Sequence, residues 1–241
     1  MKTEAALECG SGMPPCVSSS RWQAVKAVLF DLDGTLIDSA PDLAAAANWL
    51  RSENGMEALP YERLRPMVGA GARGMVGAAL GLQPQDEGFE AARDRFLARY
   101  ADGLLERTAV FPDVEPLLQA LERAPLPWGV VTNKATRFTE PVLRGLGLDR
   151  RAAVVVCGDT TPQAKPHPQP LLEAARRLQL APAECVYVGD DLRDVQAGQA
   201  AGMLTVAARW GYLGVGTSIE QWGADRVLES PAGLLKLLGM V

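Results

Sequence analysis

Short apolar runs recur along the chain at 25–30, 129–131, 153–157, 185–188, 204–207 and 226–228. Most are Val-rich and bounded by Gly, Asp, Asn or Thr. Continuous apolar stretches of this length read as strands buried on both faces, as in a parallel sheet. Helix-like segments separate them. Residues 115–123 follow Pro112-Asp113, and 138–146 stop at Gly147, a glycine placed as a C-terminal cap. Residues 170–178 carry apolar positions at helical spacing, and 195–201 stop at Gly202. Alternating strand and helix predict a doubly wound α/β fold with right-handed crossovers.

One region breaks the alternation. Between Pro41 and Thr108 no strand-like run occurs, whereas 42–51, 73–80 and 90–106 have helical character, with four consecutive alanines at 44–47. The pattern predicts an α-helical cap inserted over the carboxyl edge of the sheet at 42–107. The catalytic core then comprises 24–41 and 108–241. Residues 1–23 hold a single Lys, two early acids (Glu4, Glu8), and Gly, Ser and Pro where a secretory leader needs an apolar block. They are expected to form a disordered tail.

Composition narrows the function classes. A net charge of −5 over 241 residues argues against a nucleic-acid surface, and an anionic substrate must find its positive charge locally. No apolar run approaches the roughly 20 residues needed to span a bilayer. Cys9 and Cys16 fall in the expected tail, and Cys157 and Cys185 in buried strands; with no CxxC pair, reduced thiols of a cytoplasmic protein are the simplest reading. Oligomeric state is not legible.

Ligands of open α/β sheets bind at the carboxyl ends of the strands. There the chain places Asp31 and Asp33, then Thr132 and Asn133, then Lys165, then Asp190, Asp191 and Asp194. Carboxylates converging from two strands repel one another unless a cation fills the pocket, and Mg²⁺ accepts a few carboxylates together with water and substrate oxygens. Roles follow from the chemistry. Asp31 is the candidate nucleophile on phosphorus, and Asp33 the acid–base that serves the leaving oxygen and then the attacking water. Thr132 and Asn133 are hydrogen-bond partners for phosphoryl oxygens, and Lys165 supplies a point charge to the transition state. Asp190 is the main metal ligand of its strand. Asp191 and Asp194 remain alternatives, either for the metal's outer shell or for orienting Lys165. Arg73 in the cap is a candidate for a carboxylate at the substrate's far end. His167, the single histidine, lies between prolines beside Lys165 and is more simply a loop residue.

Four motifs together resemble the haloacid dehalogenase superfamily: Asp31-Leu32-Asp33-Gly34-Thr35-Leu36, Val131-Thr132-Asn133-Lys134, Ala164-Lys165-Pro166-His167-Pro168 and Val188-Gly189-Asp190-Asp191-Leu192-Arg193-Asp194. The resemblance implies a Rossmann-like core, Mg²⁺ held by Asp31, the Asp33 backbone carbonyl and Asp190, a phospho-aspartate and a mobile cap. The second Asp of the first motif favours phosphatases over dehalogenases. The Gly-rich stretch 68–73 is similar to caps of phosphoglycolate phosphatases. Stretches 69–76, 128–134, 189–194 and 222–225 are similar to N-acetylmuramic acid 6-phosphate phosphatases. Asp191 stands where many phosphoglycolate phosphatases have Ser. The expected activity is hydrolysis of a small phosphorylated metabolite, 2-phosphoglycolate to glycolate and phosphate, with N-acetylmuramic acid 6-phosphate as the alternative substrate. A sugar-phosphate mutase and an inactive binding module are the alternatives.

Overall fold

The computed structural model of the chain describes residues 19–240. The chain runs through α1 (Ser19–Gln23), β1 (Ala27–Phe30) and β2 (Ile37–Asp38) into α2 (Ala40–Ser52), α3 (Tyr61–Leu64), a 3₁₀ segment at Arg65–Ala70, α4 (Gly71–Leu80) and α5 (Phe89–Asp102). It continues with β3 (Ala109–Val110), α6 (Val114–Arg123), β4 (Trp128–Val131), α7 (Thr136–Gly145), β5 (Val154–Val156) and α8 (Gln169–Leu178). Last come β6 (Cys185–Gly189), α9 (Leu192–Ala201), β7 (Leu204–Ala208), β8 (Arg226–Leu228) and α10 (Ala232–Leu237).

Six strands form a parallel sheet in the order β5-β4-β1-β6-β7-β8. The two-residue period of a strand sends alternate side chains to opposite faces. Val28 and Phe30 of β1 accordingly join one cluster with Leu117 and Leu121 of α6, and Ala27 and Leu29 join another with Leu171 of α8 and Ala197 of α9. Both faces being covered, β1 and β6 are buried along their whole length, which is why they appear in the sequence as unbroken apolar runs. The direction of winding reverses at β1, which lies between β4 and β6, so a crevice opens at the carboxyl end of β1.

The helices between β2 and β3 have their own apolar core, with Leu50, Leu64, Met75, Val76 and Phe96 fully buried; Phe138 and Tyr212 of the sheet region complete it. A two-stranded antiparallel ribbon, Ile37 opposite Val110 and Asp38 opposite Ala109, closes the entry and exit of this block.

Three elements differ from expectation. The tail expected through residue 23 ends in helix at Ser19–Gln23, and Trp22 packs into the core at 4% exposure; residues 1–18, with Cys9 and Cys16, lie outside the described residues. The helix expected to reach residue 106 stops at Asp102, capped by Gly103. The ribbon strands β2 and β3 were not expected at all. Among the described residues no helix is long and apolar enough to cross a membrane.

Candidate active site

Asp31 follows β1 directly, and its N–H extends the ladder to the Val188 carbonyl at 2.9 Å. The chain then turns tightly through Gly34 at φ +89°. A Cβ at Gly34 or at Gly211 would collide with the Asp190 carboxylate, so glycine on both sides lets the backbone close around that side chain. The Thr35 hydroxyl donates to Asp190 Oδ1 at 2.8 Å and the Tyr212 N–H to Oδ2 at 2.7 Å.

Lys165 is the counter-charge. Its ammonium lies 2.8 Å from Asp31 Oδ1 and 2.8 Å from Asp194 Oδ1, and donates to the Tyr187 hydroxyl at 2.7 Å and the Val131 carbonyl at 3.1 Å. Burial works to lower its pKa, but Asp194 and Asp31 outweigh burial and hold it above the ordinary lysine value. Burial pushes Asp31 up to about 7 against the pull of Lys165, with Asp194 and Asp33 adding to the rise. Burial, then repulsion from Asp31 and Asp194, raises Asp190 well above the usual carboxylate range.

Oxygen atoms of Asp31, Asp190 and Asp194 lie within 4.8 Å of one another. Asp31 Oδ1 is buried and, although the Lys165 ammonium is close, receives no well-aligned hydrogen bond. One ammonium does not offset three clustered carboxylates, two of them buried. The donor set is all hard oxygen, so these residues fit a small divalent cation.

The remaining expected residues are placed as follows. Asp33 accepts from the Ser39 hydroxyl at 2.5 Å and from Lys134 Nζ at 2.9 and 3.2 Å. The same ammonium donates to the Tyr100 hydroxyl of α5 at 2.7 Å. Burial acts to lower the Lys134 pKa, but Asp33 and Tyr100 reverse the sign. Thr132 is buried at the cavity floor and accepts from the Lys134 N–H at 3.1 Å.

Asn133 is tied to the loop that carries Lys165. Its amide donates to the Lys165 carbonyl and accepts from the Lys165 N–H, both at 3.0 Å. The side chain pins the Lys165 loop with one N–H and its carbonyl oxygen, and its second amide N–H has no partner among the described residues.

Asp191 and Asp194 separate clearly. Asp194 is buried on Lys165 and belongs to the carboxylate cluster. Asp191 caps α9 by accepting the Arg193 N–H at 2.9 Å and pairs with the Arg193 guanidinium at 2.8 and 3.0 Å. Burial would raise Asp191, but Arg193 prevails and lowers it.

Arg73 does not line the crevice; it lies with Arg63, Met67 and Gln83 on a separate concavity of the helical block. His167 is exposed and accepts the Gln169 N–H at 3.1 Å at the start of α8.

Four groups escaped the sequence reading: Lys134, Arg137, Arg193 and Tyr100 all line the crevice. Lys134 and Arg193 stand inside the motifs themselves, and Arg193 adjoins Asp194 in the sequence, so for Arg193 a cation beside an acid was the available signal. The crevice is a cavity of about 460 Å³ between the sheet edge and the helical block, whose Leu43, Val68 and Leu97 form its apolar wall.

A family model for haloacid dehalogenase-like hydrolases matches residues 25–202. The N-acetylmuramic acid 6-phosphate phosphatase of Pseudomonas putida is 42% identical over 214 residues, covering 89% of this chain and 96% of that protein. The phosphoglycolate phosphatase of Xanthomonas campestris is 46% identical over 209 residues, covering 87% and 94%. A crystal structure from Haemophilus somnus, described as a predicted phosphoglycolate phosphatase, superposes with a TM-score of 0.79 at 28% identity, covering 89% of this chain and 98% of that one. The family match takes in all four motifs and both relatives align over nearly their full length, so the chain belongs to the haloacid dehalogenase-like hydrolase family and is a phosphatase within it.

Proposed function

We propose that this phosphatase hydrolyses the phosphomonoester of a small metabolite that also carries a carboxylate, with Asp31 as nucleophile and Mg²⁺ as the metal. The observation that carries this reading is the position of Asp31, at the tip of the central strand, beside Lys165 and two further buried carboxylates, and facing the cavity. An Asp31 oxygen attacks phosphorus as the bond to the leaving oxygen breaks, and Asp33 gives that oxygen a proton. Asp33 then takes a proton from water, which attacks the aspartyl phosphate, releases inorganic phosphate and regenerates Asp31.

Asp31, Asp190 and the Asp33 backbone carbonyl would hold the metal. When bound, it neutralises carboxylate charge so that an anionic ester can approach an anionic nucleophile. Lys165, oriented by Asp194 and by the Asn133 clasp on its backbone, supplies positive charge to the transferring group, and Thr132 offers its hydroxyl. The helical block acts as a cap over the substrate and excludes bulk water. Free buried thiols at Cys157 and Cys185 suit a cytoplasmic enzyme.

Of the two substrates named for the relatives, the cavity favours N-acetylmuramic acid 6-phosphate. About 460 Å³ falls within the roughly 300–1,000 Å³ of sites that enclose drug-sized ligands, and a two-carbon acid phosphate would leave most of it unfilled. The 46% identity to a phosphoglycolate phosphatase supports 2-phosphoglycolate as the second reading.

The test is phosphate release at neutral pH with Mg²⁺ on both compounds and a sugar-phosphate panel. Asp31→Asn is expected to lower kcat by about 10⁴-fold or more. Wild-type turnover retained in the variant would remove Asp31 as nucleophile. An isomeric sugar phosphate in place of free phosphate would make the enzyme a mutase.

A further inference from the structure

Five carboxylates and four cations line the cavity. Three of the cations are committed within the protein. Lys165 lies between Asp31 and Asp194. Lys134 is held by Asp33 and Tyr100. Arg193 is bound through two nitrogens to Asp191 and also reaches the Gly69 carbonyl of the helical block.

The fourth, Arg137, makes no ion pair among the described residues. The neighbouring Asp159 accepts the Thr136 N–H at 2.9 Å and the Thr136 hydroxyl at 2.5 Å, both on Oδ1, and feels the charge of Arg137 without forming an ion pair with it. Nor does local structure explain Arg137. It lies in the first turn of α7, at the positive end of the helix dipole, where a cation is disfavoured. What holds it is Phe138, with the guanidinium carbon 4.6 Å from the ring centroid. That ring is 6% exposed and fixed in the core of the helical block. The guanidinium therefore rests on an immobile platform at the cavity wall, its donors uncommitted. A divalent cation at the carboxylate cluster would turn the balance of charge lining the cavity positive, which suits a substrate with two anionic groups.

We propose that Arg137 binds a second anionic group of the substrate, a carboxylate, and so selects phosphorylated acids over neutral phosphorylated sugars. The inference rests on the phosphatase reading above and deepens it. Planar guanidinium matches a carboxylate through two parallel hydrogen bonds, which neither an ammonium nor an amide reproduces. The role is one of specificity: Arg137 touches the substrate at a distance from phosphorus and takes no part in the transfer.

The experiment compares wild type, Arg137→Gln and Arg137→Lys with Mg²⁺ on three probes. N-acetylmuramic acid 6-phosphate carries the carboxylate, N-acetylglucosamine 6-phosphate is the same sugar without it, and p-nitrophenyl phosphate reports the chemistry at Asp31. The quantity read is the ratio of kcat/KM for the acid to that for its neutral counterpart, which cancels any loss of folded protein. Arg137→Gln is expected to lower this ratio by about 10- to 100-fold, mainly through KM, with Arg137→Lys in between. A ratio equal to wild type in the Gln variant overturns the proposal, as does a wild type that does not favour the acid. If wild type releases phosphate from none of the probes, p-nitrophenyl phosphate included, the phosphatase mechanism at Asp31 fails and the proposal falls with it; turnover of p-nitrophenyl phosphate without acid preference overturns the Arg137 assignment alone.

Discussion

At the sheet edge, Lys165, Asp190 and Asp194 are 5%, 3% and 2% exposed, and each has at least two partners in hydrogen-bond or ion-pair contact. Across the cavity, the helical block presents Leu43, Val68 and Leu97, with the Tyr100 hydroxyl and the Gly69 carbonyl as its polar links to the sheet side. The two walls differ in what holds them. Buried like charges persist only where every neighbour over-determines them, down to the two glycines that admit Asp190. The apolar wall needs only volume and shape. Substitutions at the sheet edge should therefore disturb stability and chemistry together, and substitutions in the block should separate them.

The largest expected effect is at Lys165. Lys165→Met leaves Asp31 and Asp194 buried without their cation. Removing one partner of a buried ion pair costs about 3–5 kcal/mol, and the transition state loses its point charge at the same time, about 10³-fold in kcat. Urea unfolding and phosphate release on the same preparations check this. A variant with wild-type unfolding midpoint but lost activity would show that the sheet edge is less interlocked than its contacts indicate.

The second prediction uses pH and metal removal. In the metal-free protein, Asp31 titrates near 7 against an unperturbed 3.8. Between those values the folded state keeps a proton that the unfolded state has released, so stability falls as pH rises from about 4 to about 7. Magnesium, binding the deprotonated carboxylates, should flatten that fall, and so should Asp31→Asn. Thermal midpoints across this window, with chelator and with Mg²⁺, supply the measurement. A metal-free profile that rises through the window would contradict the burial of Asp31.

Much of the sheet side was legible in advance because its information is local. Strands buried on both faces leave unbroken apolar runs, and Asp31 and Asp190 follow such strands directly, with Asp33 two positions past Asp31. What was not legible depends on pairing across the chain. Asn133 is committed to a backbone 32 positions away, and nothing near residue 133 announces it. The strands Ile37–Asp38 and Ala109–Val110 are too short to form a run and exist only through each other. Arg73 was misplaced because α4 packs Met75, Val76 and Ala79 inward and leaves Arg73 over another concavity, an orientation set by the neighbouring helices. The separation of Asp191 from Asp194 was legible: acids three apart at a helix start form a capping box, with the first, Asp191, at the cap and Asp194 at the third helical position.

The smallest effect expected is at Tyr212, where the two regions meet in one residue. Its backbone N–H holds Asp190, while its hydroxyl accepts the N–H groups of Ser39 at 2.8 Å and Ala40 at 3.0 Å and donates to Asp38 Oδ1 at 3.0 Å. Tyr212→Phe removes only the second set. Ala40 retains the Asp38 carboxylate at 3.2 Å, so a single buried N–H, that of Ser39, loses its partner. One orphaned donor costs about 1–3 kcal/mol. The backbone bond to Asp190 survives, so kcat should fall no more than about threefold, far short of the loss at Lys165. Measured beside Lys165→Met, this variant gives a direct reading of how far the helical block is tied into the chemistry. A large drop in kcat at unchanged stability would mean that the hydroxyl transmits the position of α2 to Asp190, and the separation of the two walls would have to be abandoned.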